Sequence, residues 1–393
     1  MVNRRVVQLL SVGFVSGCFC LGIGIGVFIR FGQLLPSDAA TSSTESNSFP
    51  FAVPEPLPPP GEETFPDTIT IKAVGDIIPG TNFPNYRLPR DRNQLLPNSV
   101  KKHLDGADIL FGNFETSLTN YPYTTKDISR GQVFAFRSPP AYAELFADAG
   151  FNVFNLANNH AMDFGSVGFQ DTVNNLSAVG IATLGLKNQI LYLEANNIAI
   201  AMIGFSPYDM YNSIHDLATA EALVTEAKNN ANVVVVSMHA GAEGTGALHV
   251  KNQTEFFYGE NRGNSIQFAR TMIDAGADLV LGHGPHVPRA IEIYKGKLIA
   301  YSLGNFLGYR TLSTDAETGY SMILEVELSS KGDLVSSKII PVHINRQGIP
   351  YIDQRFRTVE LMRSLNRQAF PNNPVKIDQK GKIVVMNDVK KQK

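Results

Sequence analysis

The sequence predicts an α/β layered fold with buried sheets, because short apolar segments alternate with amphipathic segments along most of the chain. The apolar, β-branched segments that predict strands are residues 68–74, 108–111, 151–156, 233–238, 278–281 and 298–302. The segments with helical periodicity are residues 140–149, 166–179, 218–229 and 265–275. Alternation of this kind is typical of sheets covered by helices.

The C-terminal third departs from this alternation. Residues 319–328 and 335–343 predict two further strands, consistent with an antiparallel pair, and residues 359–368 predict a helix. The chain ends in a basic segment with Lys390, Lys391 and Lys393, which predicts a solvated tail. With 44% hydrophobic residues among 393, the chain has enough apolar material for one sizeable core.

The N-terminus carries an apolar run over residues 6–29, preceded by Arg4 and Arg5. At about 1.5 Å per residue, such a run suits a bilayer core of about 30 Å. The two arginines favour a cytoplasmic N-terminus. We therefore expect residues 1–30 to be a signal anchor, with the rest of this single-pass protein on the outer side of the cell membrane.

A second interpretation of the N-terminus is a lipoprotein signal, because residues 15–18 resemble a bacterial lipobox that ends at Cys18. The apolar run continues to Phe31, which favours the uncleaved helix. Residues 31–66 are rich in Ser, Thr, Glu and Pro and predict a disordered linker. The folded domain is expected to begin near Asp67.

Charge and cysteine content exclude several classes of function. The formal net charge is -2, so the chain has no basic field suited to nucleic acid. Its two cysteines, Cys18 and Cys20, both lie in the apolar N-terminal run. The folded region therefore has no disulfide, catalytic thiol or thiolate metal ligand, and any metal must be held by oxygen and imidazole.

Five polar clusters follow predicted strands, at the edge where open α/β sheets bind their ligands. They contain Asp76, Asn113, Glu115, Asn158, Asn159, His160, Asp163, His239, His283 and His286. Carboxylates, a carboxamide and imidazoles that converge at one edge predict a metal site suited to manganese, iron or zinc. His283 and His286, three residues apart, have a spacing that is typical of metal ligands.

Taken alone, several of these residues have a plainer interpretation. Asp76 could cap a turn or a helix, Glu115 could be a surface carboxylate, and Asn158 and Asn159 could shape a turn. The remaining histidines occur outside such clusters and are expected at the surface or in packing roles: His103, His215, His249 and His343. Lys72 is expected to be a solvated charge.

Taken in order, the clusters resemble the CapA-type family of capsule and polyglutamate synthesis proteins, itself similar to calcineurin-like metallophosphoesterases. The resemblance spans residues 69–344 and is carried by GDIIPG at 75–80, NFE at 113–115, ANNHAMDFG at 157–165, DAGAD at 274–278, GHGPHV at 282–287 and YSLGNF at 301–306. It implies a four-layer α/β/β/α metallophosphoesterase-like sandwich over residues 67–345, followed by a C-terminal extension over residues 346–393.

The resemblance also implies a role for each cluster. Asp76 and His286 would bind one divalent metal ion, and Glu115 would bridge it to a second. The second ion would be bound by Asn159, His239 and His283. His160 would protonate the leaving group or steady the transition state, and Asp163 would orient it.

Four positions depart from the patterns of these families. Metallophosphoesterases usually have a histidine where this chain has Ile78, and an aspartate where it has Glu115, which leaves the first metal short of a ligand. In the CapA-type pattern, the position of Ala240 is commonly tryptophan and the position of Gly284 is commonly histidine. These last two changes affect expected substrate contacts more than metal ligands.

The function implied by the resemblance is membrane-anchored, extracytoplasmic work in capsule or poly-γ-glutamate biosynthesis or export. A dinuclear centre would make the protein a hydrolase of an anionic polymer or a phosphoester, with polymer synthase or export subunits as partners. The alternative is a non-catalytic scaffold or polymer-binding subunit of an export complex.

Overall fold

The computed structural model describes residues 68–131 and 133–386. The predicted membrane helix, the lipobox alternative at Cys18, the linker and the basic tail therefore lie outside the described residues. Among the described residues, no helix combines the length and apolarity that a membrane crossing requires.

The described residues form many short strands and six α-helices. The strands are β1 (Thr68–Ile78), β2 (Ile109–Phe114), β3 (Ser117–Leu118), β4 (Arg137–Ser138), β5 (Val153–Asn155), β6 (Ala182–Leu184), β7 (Leu191–Ala195), β8 (Ile198–Ser206), β9 (Asn212–Ser213), β10 (Val233–His239), β11 (Phe256–Phe257), β12 (Glu260–Asn261), β13 (Leu279–His283), β14 (Pro288–Tyr294), β15 (Lys297–Leu303), β16 (Asn305–Gly308), β17 (Tyr320–Ser329), β18 (Leu334–Ile344), β19 (Pro350–Ile352), β20 (Val375–Ile377) and β21 (Lys382–Val385). The helices are α1 (Asn98–Leu104), α2 (Tyr142–Asp148), α3 (Gly165–Ser177), α4 (Leu217–Asn230), α5 (Ser265–Asp274) and α6 (Arg357–Ala369).

Two large sheets contain most of the strands. The ten-stranded sheet has the order β20-β21-β18-β17-β1-β2-β5-β6, with β16 beside β1 and β19 beside β18. The seven-stranded sheet has the order β14-β15-β13-β10-β8-β7, with β9 beside β8. Strands β1, β2, β5 and β6 run parallel, whereas β17 and β18 are antiparallel to each other, as the sequence predicts.

Two hydrophobic cores define the layers. Alternate residues of β1 point to opposite faces, as the pleat of a strand requires. Ile71 belongs to the core that also contains Met202 of the seven-stranded sheet and Phe268 of α5. Val74 belongs to the other core, with Phe146 of α2. The mixed α/β fold is thus confirmed, and each fully buried Phe or Ile contributes roughly 1.5–3 kcal/mol by leaving water.

The residues after 345 continue the same sheet. Strands β19 and β21 both pair with β18, and β20 pairs with β21. Helix α6 joins this region to the seven-stranded sheet through a side-chain amide. Asn366 Nδ2 donates to the carbonyl of Ile291 at 2.7 Å, and its Oδ1 accepts from the Ile291 N–H at 3.0 Å. This pair of bonds replaces the missing neighbour of edge strand β14.

Lys72 is buried, so its interpretation as a solvated charge is wrong. Only 7% of the residue is exposed. Its ammonium group donates to the carbonyls of His103 and Asp105 at 2.9 and 2.6 Å, and lies 3.4 Å from Glu325. Lys72 thus donates from β1 to carbonyl groups at the C-terminal end of α1, which a helix leaves unpaired.

Candidate metal centre

The register of the ten-stranded sheet places four polar side chains in one row. Asp76 on β1 pairs with Asn305 on β16 and with Asn113 on β2, and Asn113 pairs with Asn155 on β5. All four residues are buried. Because these strands are parallel, their carboxyl ends meet at one edge, where independent strands deliver side chains to a shared site.

The seven-stranded sheet supplies the histidines. His239 and His283 are register partners on the parallel strands β10 and β13, and both are fully buried. Asn113 connects the two sheets, since its Nδ2 lies 3.4 Å from His239 Nδ1. The two rows therefore face the same site from opposite sheets.

Asp76, Glu115 and His286 each offer one ligand atom within 4.8 Å of the others, and could together hold a divalent metal ion. Asp76 Oδ2 lies 3.0 Å from His286 Nδ1. Glu115 Oε1 lies 3.8 Å from His286 Nε2 and 3.9 Å from His239 Nε2. The structure thus brings together four of the six predicted ligands directly.

The other two predicted ligands have free donor atoms near this group. His283 stands beside His239 in the sheet, and its Nε2 contacts the Val74 carbonyl at 3.1 Å, which leaves Nδ1 without a hydrogen bond. Asn159 lies on the loop after β5, and its Oδ1 is buried without a hydrogen-bond partner. Asn159 Oδ1 therefore makes no hydrogen bond to the other predicted ligands.

Asparagines hold Asp76 in place, a role that the sequence did not reveal. Asn113 Nδ2 donates to Asp76 Oδ1 at 2.8 Å. Asn113 Oδ1 in turn accepts from Asn155 and Asn158 at 3.0 and 3.1 Å. Asn305 Oδ1 lies 2.9 Å from His286 Nδ1. Asn113 and Asn305 belong to motifs of the sequence, but only strand register shows that both flank Asp76.

Burial and neighbouring charge shift the pKa values of the group in opposite directions. Burial raises the pKa of Asp76, but His286, His283 and His239 outweigh it and lower the pKa to about 2. Burial raises the pKa of Glu115 well above its ordinary value. Burial lowers the pKa of His286, but Glu115 and Asp76 outweigh it and raise the pKa to about 10. The two acidic groups thus favour the protonated form of His286, and a metal ion bound through His286 would replace that proton.

Two histidines remain neutral near pH 7. Burial lowers the pKa of His239 well below its ordinary value and also lowers that of His283, although Asp76 acts against both shifts. A neutral imidazole keeps one nitrogen lone pair, which is the form that binds metals. Both residues therefore have the protonation state of a ligand.

His160 and Asp163 form the second part of the site. His160 Nδ1 lies 2.8 Å from Asp163 Oδ2, as the predicted orienting role requires. Asp163 is fully buried and also accepts from the Phe136 N–H at 2.7 Å. Lys126, which the sequence did not single out, lies 2.6 Å from Asp163 Oδ1 and 3.1 Å from His160 Nδ1.

Buried nitrogen and oxygen atoms without a hydrogen-bond partner indicate whether the predicted ligands could bind a metal ion. Six buried atoms of the predicted ligands make no hydrogen bond: Asp76 Oδ2, Glu115 Oε1 and Oε2, Asn159 Oδ1, His239 Nε2 and His283 Nδ1. A buried polar atom without a partner costs about 1–3 kcal/mol, and more if charged. Oxygen and imidazole donors are also the set that borderline divalent ions prefer. The residues fit such an ion.

Fold and site together define an α/β protein with a candidate divalent-metal site at the joined edges of two sheets. The chain belongs to the family described as bacterial capsule synthesis protein PGA_cap, whose model matches residues 70–310. This confirms the family that the sequence motifs resemble.

Two Bacillus relatives are similar to more than half of this chain. The chain is 30% identical over 261 residues to "PGA biosynthesis protein CapA" of Bacillus subtilis, a match that covers 61% of this chain and 63% of that protein. It is 27% identical over 310 residues to "Capsule biosynthesis protein CapA" of Bacillus anthracis, covering 72% and 69%. The matches thus span about two thirds of these relatives.

Among solved structures, the NAD nucleotidase of Haemophilus influenzae aligns with 76% of this chain and 62% of its own, at 13% identity and a TM-score of 0.39. A likeness of this size supports no inference about fold or activity.

Proposed function

We propose that this protein acts in capsule or poly-γ-glutamate biosynthesis or export as a metal-dependent hydrolase. Family membership supports the process, since the two Bacillus relatives carry that role in their names. The observation that carries the hydrolase proposal is the set of six buried polar atoms on predicted ligands that make no hydrogen bond. Residues with a purely structural role rarely leave so many buried polar atoms without a hydrogen-bond partner.

The proposed centre would hold two divalent ions. Asp76 and His286 would hold one, Glu115 would bridge, and Asn159, His239 and His283 would hold the other. When bound, such ions lower the pKa of a water molecule and offset negative charge on a phosphoryl or carbonyl oxygen.

The protein's own residues supply proton transfer and orientation. His160 Nδ1 lies 2.8 Å from Asp163 Oδ2, and we assign the ring proton to that nitrogen, which leaves Nε2 to exchange a proton with substrate. Hydrolysis adds water across the scissile bond: the water oxygen bonds to the phosphorus or carbonyl carbon, and the bond to the leaving group breaks. His160 Nε2 takes up the proton that the water releases and passes it to the leaving oxygen or nitrogen. Asn113 keeps the Asp76 carboxylate in a fixed orientation throughout.

The substrate class that we propose is an anionic polymer or a phosphoester, and the partners are polymer synthase or export subunits. We also propose that residues 1–30 anchor the protein in the cell membrane and place the folded domain outside it. The basis for this anchor is the apolar run that follows two arginines.

A non-catalytic scaffold is the second candidate, and Ile78 favours it. A histidine at that position would complete the first metal ion, whereas Ile78 is a fully buried hydrophobic residue. Under this alternative the protein would bind polymer in an export complex without turning it over.

The test is turnover by the full-length protein with added manganese, against a phosphodiester and against poly-γ-glutamate. We expect manganese-dependent release of product from one of the two, abolished by a chelator. Polymer binding without turnover, unchanged by Asp76→Ala, would instead support the scaffold.

A further inference from the structure

A carboxylate that the motifs did not single out stands beside His286. Glu243 Oε2 lies 3.8 Å from His286 Nε2, the same distance that separates His286 Nε2 from Glu115 Oε1. Two donors bound to one ion, each about 2.1 Å from it, lie roughly 3–4 Å apart. Glu243 is therefore at the distance from His286 that a shared metal ion requires.

A backbone hydrogen bond connects the loop that contains Glu243 to the loop that contains His286. The Gly244 N–H donates to the carbonyl of Pro285, the residue before His286, at 2.9 Å. Gly244 has a φ of 86°, in the left-handed region, so its backbone turns immediately after Glu243. The proximity of the two side chains is thus fixed by the backbone.

Ala242, the residue before Glu243, is also held by hydrogen bonds on both its N–H and its carbonyl. The Ala242 N–H donates to Glu255 Oε2 at 2.9 Å, and the Ala242 carbonyl accepts from Arg289 Nη2 at 3.0 Å. Arg289 is fully buried and forms two hydrogen bonds with the Glu255 carboxylate, at 3.0 and 2.8 Å. Both neighbours of Glu243 are therefore held by the fold.

Arg262 pairs with one of the two carboxylate oxygens of Glu243. Its Nη2 lies 3.0 Å from Glu243 Oε1, which leaves Oε2 as the oxygen beside His286. Arg262 is itself buried, and its Nε donates to Glu260 at 2.9 Å. A carboxylate held through one oxygen by an outer partner, with the other free, is the usual arrangement of a metal ligand.

The first metal ion of the proposed centre lacks the ligand that a histidine at position 78 would supply. We propose that Glu243 is that missing ligand, contributed from the loop after β10. This inference rests on the proposed function. The resulting set of Asp76, Glu115, Glu243 and His286 is rich in carboxylate oxygen, which favours manganese over softer ions.

The test is a manganese titration of the full-length protein, followed by the paramagnetic resonance signal of free Mn²⁺. Wild-type protein is expected to bind two ions, and Glu243→Gln to bind one of them at least about 10-fold more weakly, since it removes a charged ligand. Glu260→Gln is the matched control, because it removes the same charge from the other partner of Arg262 at an exposed position. It is expected to bind both ions like wild type.

Two outcomes would overturn the assignment. One is wild-type affinity for both ions in Glu243→Gln, and the other is an equal loss in Glu260→Gln, which would attribute the effect to charge around Arg262. Glu243→Asp, which keeps the charge but shortens its reach, is expected to weaken the same ion and serves as the second variant if the amide disturbs folding. Wild-type protein that binds no manganese would refute the proposed function itself.

Discussion

Glu115→Gln is expected to abolish the stabilisation that manganese gives the wild-type protein. An ion that binds only the folded state adds about 2.7 kcal/mol to the free energy of unfolding when its free concentration is 100-fold above Kd. Glu115 is the proposed bridge, so both ions depend on its charge. Without metal, the variant is expected to be at least as stable as wild type, because the buried Glu115 oxygens have no hydrogen-bond partner.

Urea denaturation with manganese and with a chelator measures both effects. Glu144→Gln is the control, since Glu144 is an exposed carboxylate paired with Arg92. The control should keep the full response to manganese. A Glu115→Gln protein that is stabilised by manganese as much as wild type would contradict the bridging role.

His160→Gln is expected to lower turnover by about 10²–10⁴-fold, the range that a positioned general acid contributes. Its metal content should stay unchanged, because His160 contacts Asp163 and Lys126 and is not one of the proposed ligands. Steady-state rates and metal analysis of the same preparation separate the two effects.

The matched control is His103→Gln, an exposed histidine on α1. It should retain wild-type turnover. Turnover by His160→Gln within about 3-fold of wild type would exclude general-acid catalysis by this residue, since the smallest expected loss is about 100-fold.

Much of the fold follows from local patterns. Continuous apolar runs such as residues 233–238 predict buried strands. This run forms β10, and the strand ends at His239, the first polar residue after the run. Motif order also led to the correct family. Strands β7 and β8 were not predicted, although residues 198–206 form a buried strand between β10 and β7.

The roles that escaped prediction depend on contacts between distant segments. Asn113 orients Asp76 only because β1 and β2 are in a register that makes them partners. Lys72 is buried because β1 passes the end of α1, which no local pattern encodes. Glu243 reaches His286 through a loop that is tied to Pro285 by one backbone hydrogen bond. Register and loop pairing, rather than residue type, set these positions.

The central claim is that side chains from two sheets gather into a pocket that binds divalent cations. Metal content of full-length protein, measured by mass spectrometry after manganese loading and dialysis, tests it most directly against the variant that combines His239→Gln and His283→Gln. Two equivalents in wild type and at most one in the folded double variant are expected, because both imidazoles are proposed ligands of one ion. Wild-type protein without bound metal, or a double variant that retains the wild-type amount, would contradict the claim.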